Sequence, residues 1–171
     1  NTPQKIGSLS GIQAIAAGNA HSVFLHSDGA VSIVGLNEYG QLGLGDNTDR
    51  NTPEKVLQRV GETGTYLSGV QAIAAGSNHT VFLHSDGTVS TVGSNFNGQL
   101  GLGDYRNNTN RNTPHKVGSL SGVQAIATGV NHTVFLHIDG TVSAVGRNHS
   151  GQLGLGDNTD RNTPEKVLQR V

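Results

Sequence analysis

The chain has no cysteine, methionine or tryptophan, and among its 171 residues only 13% are charged and 4% aromatic. Each absence excludes something. Without cysteine there are no disulfides, thiolate zinc sites or cysteine nucleophiles, and the redox compartment stays open. A net charge of −1 with no basic run argues against binding to nucleic acid or a membrane surface driven by charge. No apolar run approaches the roughly 20 residues of a spanning helix. The opening "NTPQKIGSLSG" lacks the apolar core of a signal peptide. The first residue is Asn, not Met, so the chain is expected to be processed, trimmed or cut from something longer.

What is present is glycine, 25 of them, and repetition. "GIQAIAAG" begins at Gly11, "GVQAIAAG" at Gly69 and "GVQAIATG" at Gly122. Each is followed by a relative of "HTVFLHSDGTVSTVG", then "GQLGLGD", then a polar stretch ending "RNTPEKV" or "RNTPHKV". The repetition divides the chain into units of about 11–68, 69–121 and 122–171, with 1–10 as an extra segment. The units differ in length at one junction, "LQRVGETGTYLSG" against "GSLSG", and at one loop, where "YRNNTN" enlarges the second unit. Repeat arrays tolerate insertions at such places.

All local signals within a unit are for strands. "VQAIAAG" suits a tightly packed inner strand, with Ala72 to Ala75 at its centre, and "HTVFLH" is a second strand rich in Val and Phe. Asp28-Gly29, Asp86-Gly87 and Asp139-Gly140 supply hairpin turns, and "TVSTVG" returns. "TPEKV" is the fourth strand, starting at Thr52, Thr113 and Thr163, with its Pro at the strand start. Nothing keeps helical spacing over about 11 residues. The predicted fold is all-β: four antiparallel strands per unit form a propeller blade, with three blades in the chain.

The order "GVQAIAAG…HTVFLHSDGTVSTVG…NGQLGLGD…RNTPEKV" resembles the repeat of the regulator of chromosome condensation family, a family of β-propellers, over essentially the whole chain. Where that family often has Trp, this chain has Val34, Val92 and Val145. Smaller side chains there imply less apolar contact between blades, and they exclude the tryptophan-based ultraviolet sensing of a plant family member. The resemblance also implies that His21, His79 and His132 hydrogen-bond backbone within their own blades.

"GQLGLGD" invites a phosphate-loop reading, but Asp stands where a P-loop needs Lys, no helix follows, and three equal copies would mean three equal sites. Gly98, Gly101 and Gly103 are instead expected to provide positive φ and close approach, with Leu100 and Leu102 plugging the gap between blades. The six patterned histidines sit at opposite strand ends, too far apart to share a metal. The loops "DNTDRN" lack the glycine and distal Glu of a calcium loop. Asp46 and Asp157 are expected to cap turns, and Arg50, Arg111 and Arg161 to pair with acids across blades. No catalytic, cofactor or metal residue is assigned.

Positions that vary between units on loops are where partner specificity can reside. One such set is Asn19-Ala20, Ser77-Asn78 and Val130-Asn131. The other is Glu38-Tyr39, Phe96-Asn97 and His149-Ser150, which is read as placing Tyr39, Phe96 and His149 at equivalent addresses. Adjacent exposed aromatics are usual interface anchors. The leading expectation is a non-enzymatic scaffold that binds protein partners through these loops, without nucleic acid or membrane. Guanine-nucleotide exchange on a small GTPase is the alternative the resemblance implies, and a duplicated or engineered self-assembling unit is a third. An arc of three blades exposes two apolar faces, so the chain is expected to be part of a longer propeller or to self-associate into a ring. The extra segment at 1–10 would supply a surplus outer strand for that closure.

Overall fold

In the computed structural model, residues 2, 6, 9–106 and 109–168 are described. Among them the chain forms twelve strands and no helix. Blade one contains β1 (Ile12–Ala17), β2 (His21–His26), β3 (Val31–Gly35) and β4 (Arg50–Lys55). Blade two contains β5 (Val70–Ala75), β6 (His79–His84), β7 (Val89–Gly93) and β8 (Arg111–Lys116). Blade three contains β9 (Val123–Thr128), β10 (His132–His137), β11 (Val142–Gly146) and β12 (Arg161–Lys166). Each sheet keeps chain order, with every neighbouring pair antiparallel. The inner strands lie side by side, β1 against β5 and β5 against β9.

The Asp-Gly hairpins form as expected. Gly29 has φ 80°, its N–H donates to the His26 carbonyl, and the Asp28 carboxylate accepts the Ala30 N–H at 2.9 Å. The fourth strand begins two residues earlier than "TPEKV" implies, at Arg50, Arg111 and Arg161, so Pro53 lies inside β4. The register explains why this is tolerated. Gly35 pairs with Arg50 and Ile33 with Glu54, so Asn51 to Pro53 bulge opposite Val34 and the proline owes no ladder bond. Of the extra segment expected before Gly11, residues 1, 3–5, 7 and 8 lie outside the described residues.

The core sits between blades. Blade one presents Val23, Leu25, Val31 and Ile33 to Phe82 and Val92 of blade two; blade two presents Val81, Leu83 and Val89 to Phe135 and Val145 of blade three. All of these are essentially fully buried. Alternation along each strand sends one row of side chains to each neighbour, which is why the middle strand β6 is buried at every position. Leu100 is fully buried in the glycine loop, as is Leu42 at the equivalent place, while Leu102 is only half-buried and packs against the edge of the second core. Gly98 has φ 79°, and a Cβ there would lie 2.7 Å from the Arg161 carbonyl oxygen, so the loop rests directly on the next blade's edge strand. The glycine loop is a joint.

Candidate functional site: the loop rim between blades two and three

Each rim loop is held by its own polar residues. The buried Asn37 side chain donates to the Asp46 carbonyl at 2.9 Å and accepts the Leu42 N–H at 2.9 Å; Asn95 and Asn148 repeat this. Asp46 and Asp157 do cap turns, accepting the N–H groups of Thr48 and Thr159 at 2.9 Å. The second unit lacks the second acid of "DNTDRN", and Asn110 takes its place by accepting the Asn95 N–H at 2.9 Å, as Asp49 accepts that of Asn37 at 2.7 Å. The arginine expectation is corrected. Arg50 bridges Asp46 (2.7 Å) and Glu54 (2.8 Å), Arg161 bridges Asp157 (2.6 Å) and Glu165 (2.8 Å), and Arg111 holds Asp104, each within its own unit. The bulge in the edge strand turns each guanidinium back over its own loop, and this contact holds Asp46 and Asp157 below the usual carboxylate range.

The histidine expectation is also corrected. His21 Nε2 contacts the hydroxyl of Thr80 on the next blade at 3.1 Å, and that hydroxyl donates to the Gln41 carbonyl at 2.8 Å. His79, Thr133 and Gln99 repeat the relay at 3.1 and 2.9 Å. The hydroxyl's single proton is spent on the carbonyl, so Nε2 must be the protonated, donating nitrogen. Nδ1 of both rings is buried without a partner. Adding a proton there would create a buried donor with no acceptor. Burial accordingly lowers His21 to about 4, and lowers His79 to about 3 with repulsion from its two neighbouring histidines. Gly18 and Gly76 exist for these rings: a Cβ on either would lie 2.4 Å from Nδ1. These histidines are neutral struts. Among the described residues no group of three or more His, Asp or Glu is placed to hold a metal ion.

The variable loops separate into two places. Asn19, Ser77 and Val130 line a hollow of about 300 Å³ beside the inner strands, and their backbones are knitted together, Asn19 N–H to Ser77 carbonyl and Ser77 N–H to Val130 carbonyl. On the rim, Asn97 and His149 line a groove of about 470 Å³ between blades two and three, and Phe96 joins them in an adjoining hollow of about 440 Å³. Phe96 is 62% exposed. Sequence reasoning missed two members. Tyr105 and Arg106 come from the enlarged loop of the second unit, whose sequence signals only a length difference. Tyr105 is 44% exposed, the Arg106 guanidinium lies 5.0 Å from its ring centre, and Arg106 has φ 71°. Opposite them His149 lies 3.6 Å from Asp160, an ion pair when the ring is protonated, and Arg147 contacts its Nδ1 at 3.4 Å.

Glu38, Tyr39 and Ser150 are not among the residues lining this groove. The equivalence of Tyr39 with Phe96 and His149 is off by one residue. The N–H groups of Tyr39, Asn97 and Ser150 make the same bond, each to a glutamine Oε1 at 2.9 Å, so Glu38 is the residue that corresponds to Phe96 and His149. The aromatic cluster on the rim is therefore Phe96 with Tyr105, within one blade.

The sequence profile described as the regulator of chromosome condensation (RCC1) repeat matches residues 28–83, 86–136 and 139–170, and a second profile for the repeat matches 12–41, 70–99 and 123–152. The chain belongs to the RCC1 repeat family. Among curated relatives, the ultraviolet-B receptor UVR8 of Arabidopsis thaliana is 37% identical over 96% of this chain and 36% of its own length. The human probable E3 ubiquitin-protein ligase HERC4 is 36% identical over 97% of this chain and 15% of its own length. The chain thus spans about a third or less of these relatives. Among solved structures, Prp20p of Saccharomyces cerevisiae, studied for its binding to Gsp1p and histones, superposes with a TM-score of 0.80 at 22% identity, over 95% of this chain and 39% of that one. That likeness is one of fold: an all-β arrangement of RCC1 propeller blades. No helix among the described residues is long and apolar enough to cross a membrane.

Proposed function

We propose that the chain is a non-enzymatic protein-interaction scaffold, one propeller segment over residues 1–171 whose loop rim receives a protein partner. The observation that carries this is the groove at the joint of blades two and three. There, two exposed aromatic rings, Phe96 and Tyr105, stand on loops whose backbone is held by internal hydrogen bonds. Large rings presented from a rigid base cost little entropy to bury, which suits them to anchor an interface. Arg106 and Arg147 form no ion pair among the described residues and give the rim polar contacts that orient a partner. Glu38, Tyr39, Asn97, His149 and Ser150 complete the variable rim. That a yeast relative in fold has been solved with Kap60 bound is in keeping with a protein-binding role.

The test is selection of binders from a displayed peptide library, with the Phe96→Ala, Tyr105→Ala double variant as control. Binding should be lost while the strand-type circular-dichroism spectrum is kept; binders that keep full affinity for the double variant would remove the rim from the proposal. A nucleotide-release assay with a loaded small GTPase separates scaffold from exchange factor, and the scaffold leaves the release rate unchanged. The same reading includes self-association through the end blades.

A further inference from the structure

The two internal joints are built alike, and each consists of a forward half and a rear half. The forward half carries a Val/Leu face, a histidine and the glycine loop; the rear half carries a phenylalanine, a hydroxyl residue and an outer-strand asparagine. In the first joint the polar bonds that recur in the second are His21 to Thr80, Thr80 to the Gln41 carbonyl, Asn112 side chain to the Gly45 carbonyl, Gly45 N–H to the Asn112 carbonyl and Val70 N–H to the Gly29 carbonyl. In the second they are His79 to Thr133, Thr133 to Gln99, Asn162 to Gly103, Gly103 to Asn162 and Val123 to Gly87.

Among the described residues, the forward half of blade three is only partly covered. Val142 and Val167 line an apolar cleft of about 280 Å³, whereas their counterparts Val31, Val56, Val89 and Val117 are fully buried. A Cβ on Gly140 would meet nothing within 4 Å, whereas one on Gly29 would meet the Gly69 backbone at 3.1 Å. Gln152 is exposed where Gln41 and Gln99 are buried. Among the described residues, the rear half of blade one is only partly covered. Phe24 and Val34 are partly exposed where Phe82, Phe135, Val92 and Val145 are fully buried, and Ile15 is 75% exposed.

We propose that these halves meet between molecules: the forward face of blade three receives blade one of a second copy of this chain, head to tail, in the register of the internal joints. The inference deepens the self-association reading and specifies its geometry. Every polar group that recurs in both internal joints has its counterpart. His132 would donate to Ser22 of the second copy, and Ser22 to the Gln152 carbonyl. Asn51 of the second copy would exchange two bonds with the Gly156 backbone, and its Ile12 N–H would reach the Gly140 carbonyl. Val130 N–H would reach the second copy's Asn19 carbonyl, as Ser77 N–H reaches Val130 within the chain. Serine in place of threonine at position 22 keeps the one group the relay needs. A heterologous contact leaves a free half at each end of a dimer, so larger species follow as concentration rises.

The chain's lack of cysteine makes the register testable by cross-linking. One preparation carries Asn19→Cys and a second, differing in mass, carries Val130→Cys; both positions are exposed. The proposal expects their mixture to form the mixed disulfide in preference to either like pair, and Phe24→Asp in the Asn19→Cys chain to abolish it. An Asn19→Cys, Ser77→Cys chain, which places the pair across an internal joint, establishes that the positions can be bridged. If that control closes and the mixed disulfide is no more abundant than the like pairs, the proposal fails. Sedimentation that finds a folded 17.7 kDa monomer at micromolar concentration also overturns it. Phe96→Ala leaves the cross-link intact, so loss of the rim reading and loss of this one are told apart.

Discussion

The two internal joints share their cores and relays but are strapped differently. Between blades one and two, an excursion from Val56 to Leu67 folds into a bridge of Leu57 with Tyr66, and Gln58 N–H donates to the Thr65 carbonyl. It buries Leu67 in the joint and sends the Arg59 guanidinium to the Thr88 hydroxyl at 3.0 Å and to Glu62. Between blades two and three, the connector is four residues, Gly118 to Ser121, and Leu120 alone does the work of Leu67. With a long strap or a short one, the phenylalanine is fully buried and the histidine–hydroxyl–carbonyl relay has the same lengths to within 0.1 Å. The joint is therefore a property of the repeated residues and not of the connector.

That conclusion can be broken most sharply at the phenylalanines. Phe82→Ala and Phe135→Ala should each lose about 3–5 kcal/mol of unfolding free energy in urea titration, the usual cost of removing a buried ring. Phe24→Ala, on the partly exposed face, should lose well under half as much in the dilute monomer. If the alanine variants do not fold, Phe82→Leu and Phe135→Leu rank the joints instead. A cost at Phe135 far from that at Phe82 would show that the strap matters after all.

Next come the hydroxyls. Thr80→Val and Thr133→Val keep shape but leave a buried carbonyl and a buried histidine N–H unpaired, so each should cost about 1–3 kcal/mol in the same titration. Equal costs extend the equivalence of the joints to their polar part.

The histidines give the comparison a pH dependence. The lowered values of His21 and His79 mean that the unfolded chain binds protons the folded chain refuses. Their stability contribution is complete above the unfolded value near 6.5 and is lost as pH falls toward about 4 for His21 and about 3 for His79. Thermal melts should fall over that window, and His79→Gln should flatten the fall. A melting temperature unchanged between pH 7 and pH 4 would refute the neutral-strut role.

The smallest effect sharpens the contrast between straps. Arg59→Ala should cost about 1 kcal/mol or less, because the Glu62 partner is partly exposed to solvent. Hydrogen exchange should quicken in the excursion 57–67 while β9 and β10 remain unchanged; faster exchange in β9 would mean that the strap supports both joints.

Much of the fold was legible because it is written three times. Period-two alternation, Asp-Gly turns and "GQLGLGD" need only neighbours in sequence to be interpreted, so β2, β6 and β10 match "HTVFLH" and its relatives residue for residue. The site was legible only in part. Phe96, Asn97 and His149 could be flagged because they vary where the units otherwise agree, yet Tyr105 and Arg106 carry no pattern at all, and the groove forms only where their loop folds back across a joint. The rule that relates strands to pattern is local, which is why it missed Pro53: its tolerance depends on a bulge opposite Val34 that no residue of "TPEKV" announces.

By itself the sequence determined the strands, their order, the turns and the glycine loops, because these follow from alternation and from φ angles that only glycine adopts at low cost. Tertiary structure alone decided the pairings across space. The histidines reach a hydroxyl on the next blade and not their own backbone, the arginines stay within their own loops and not across the joint, and the rim aromatics gather on one blade. The physical reason is that equal copies look equal in sequence, while the packing of one blade on the next gives every blade two different faces.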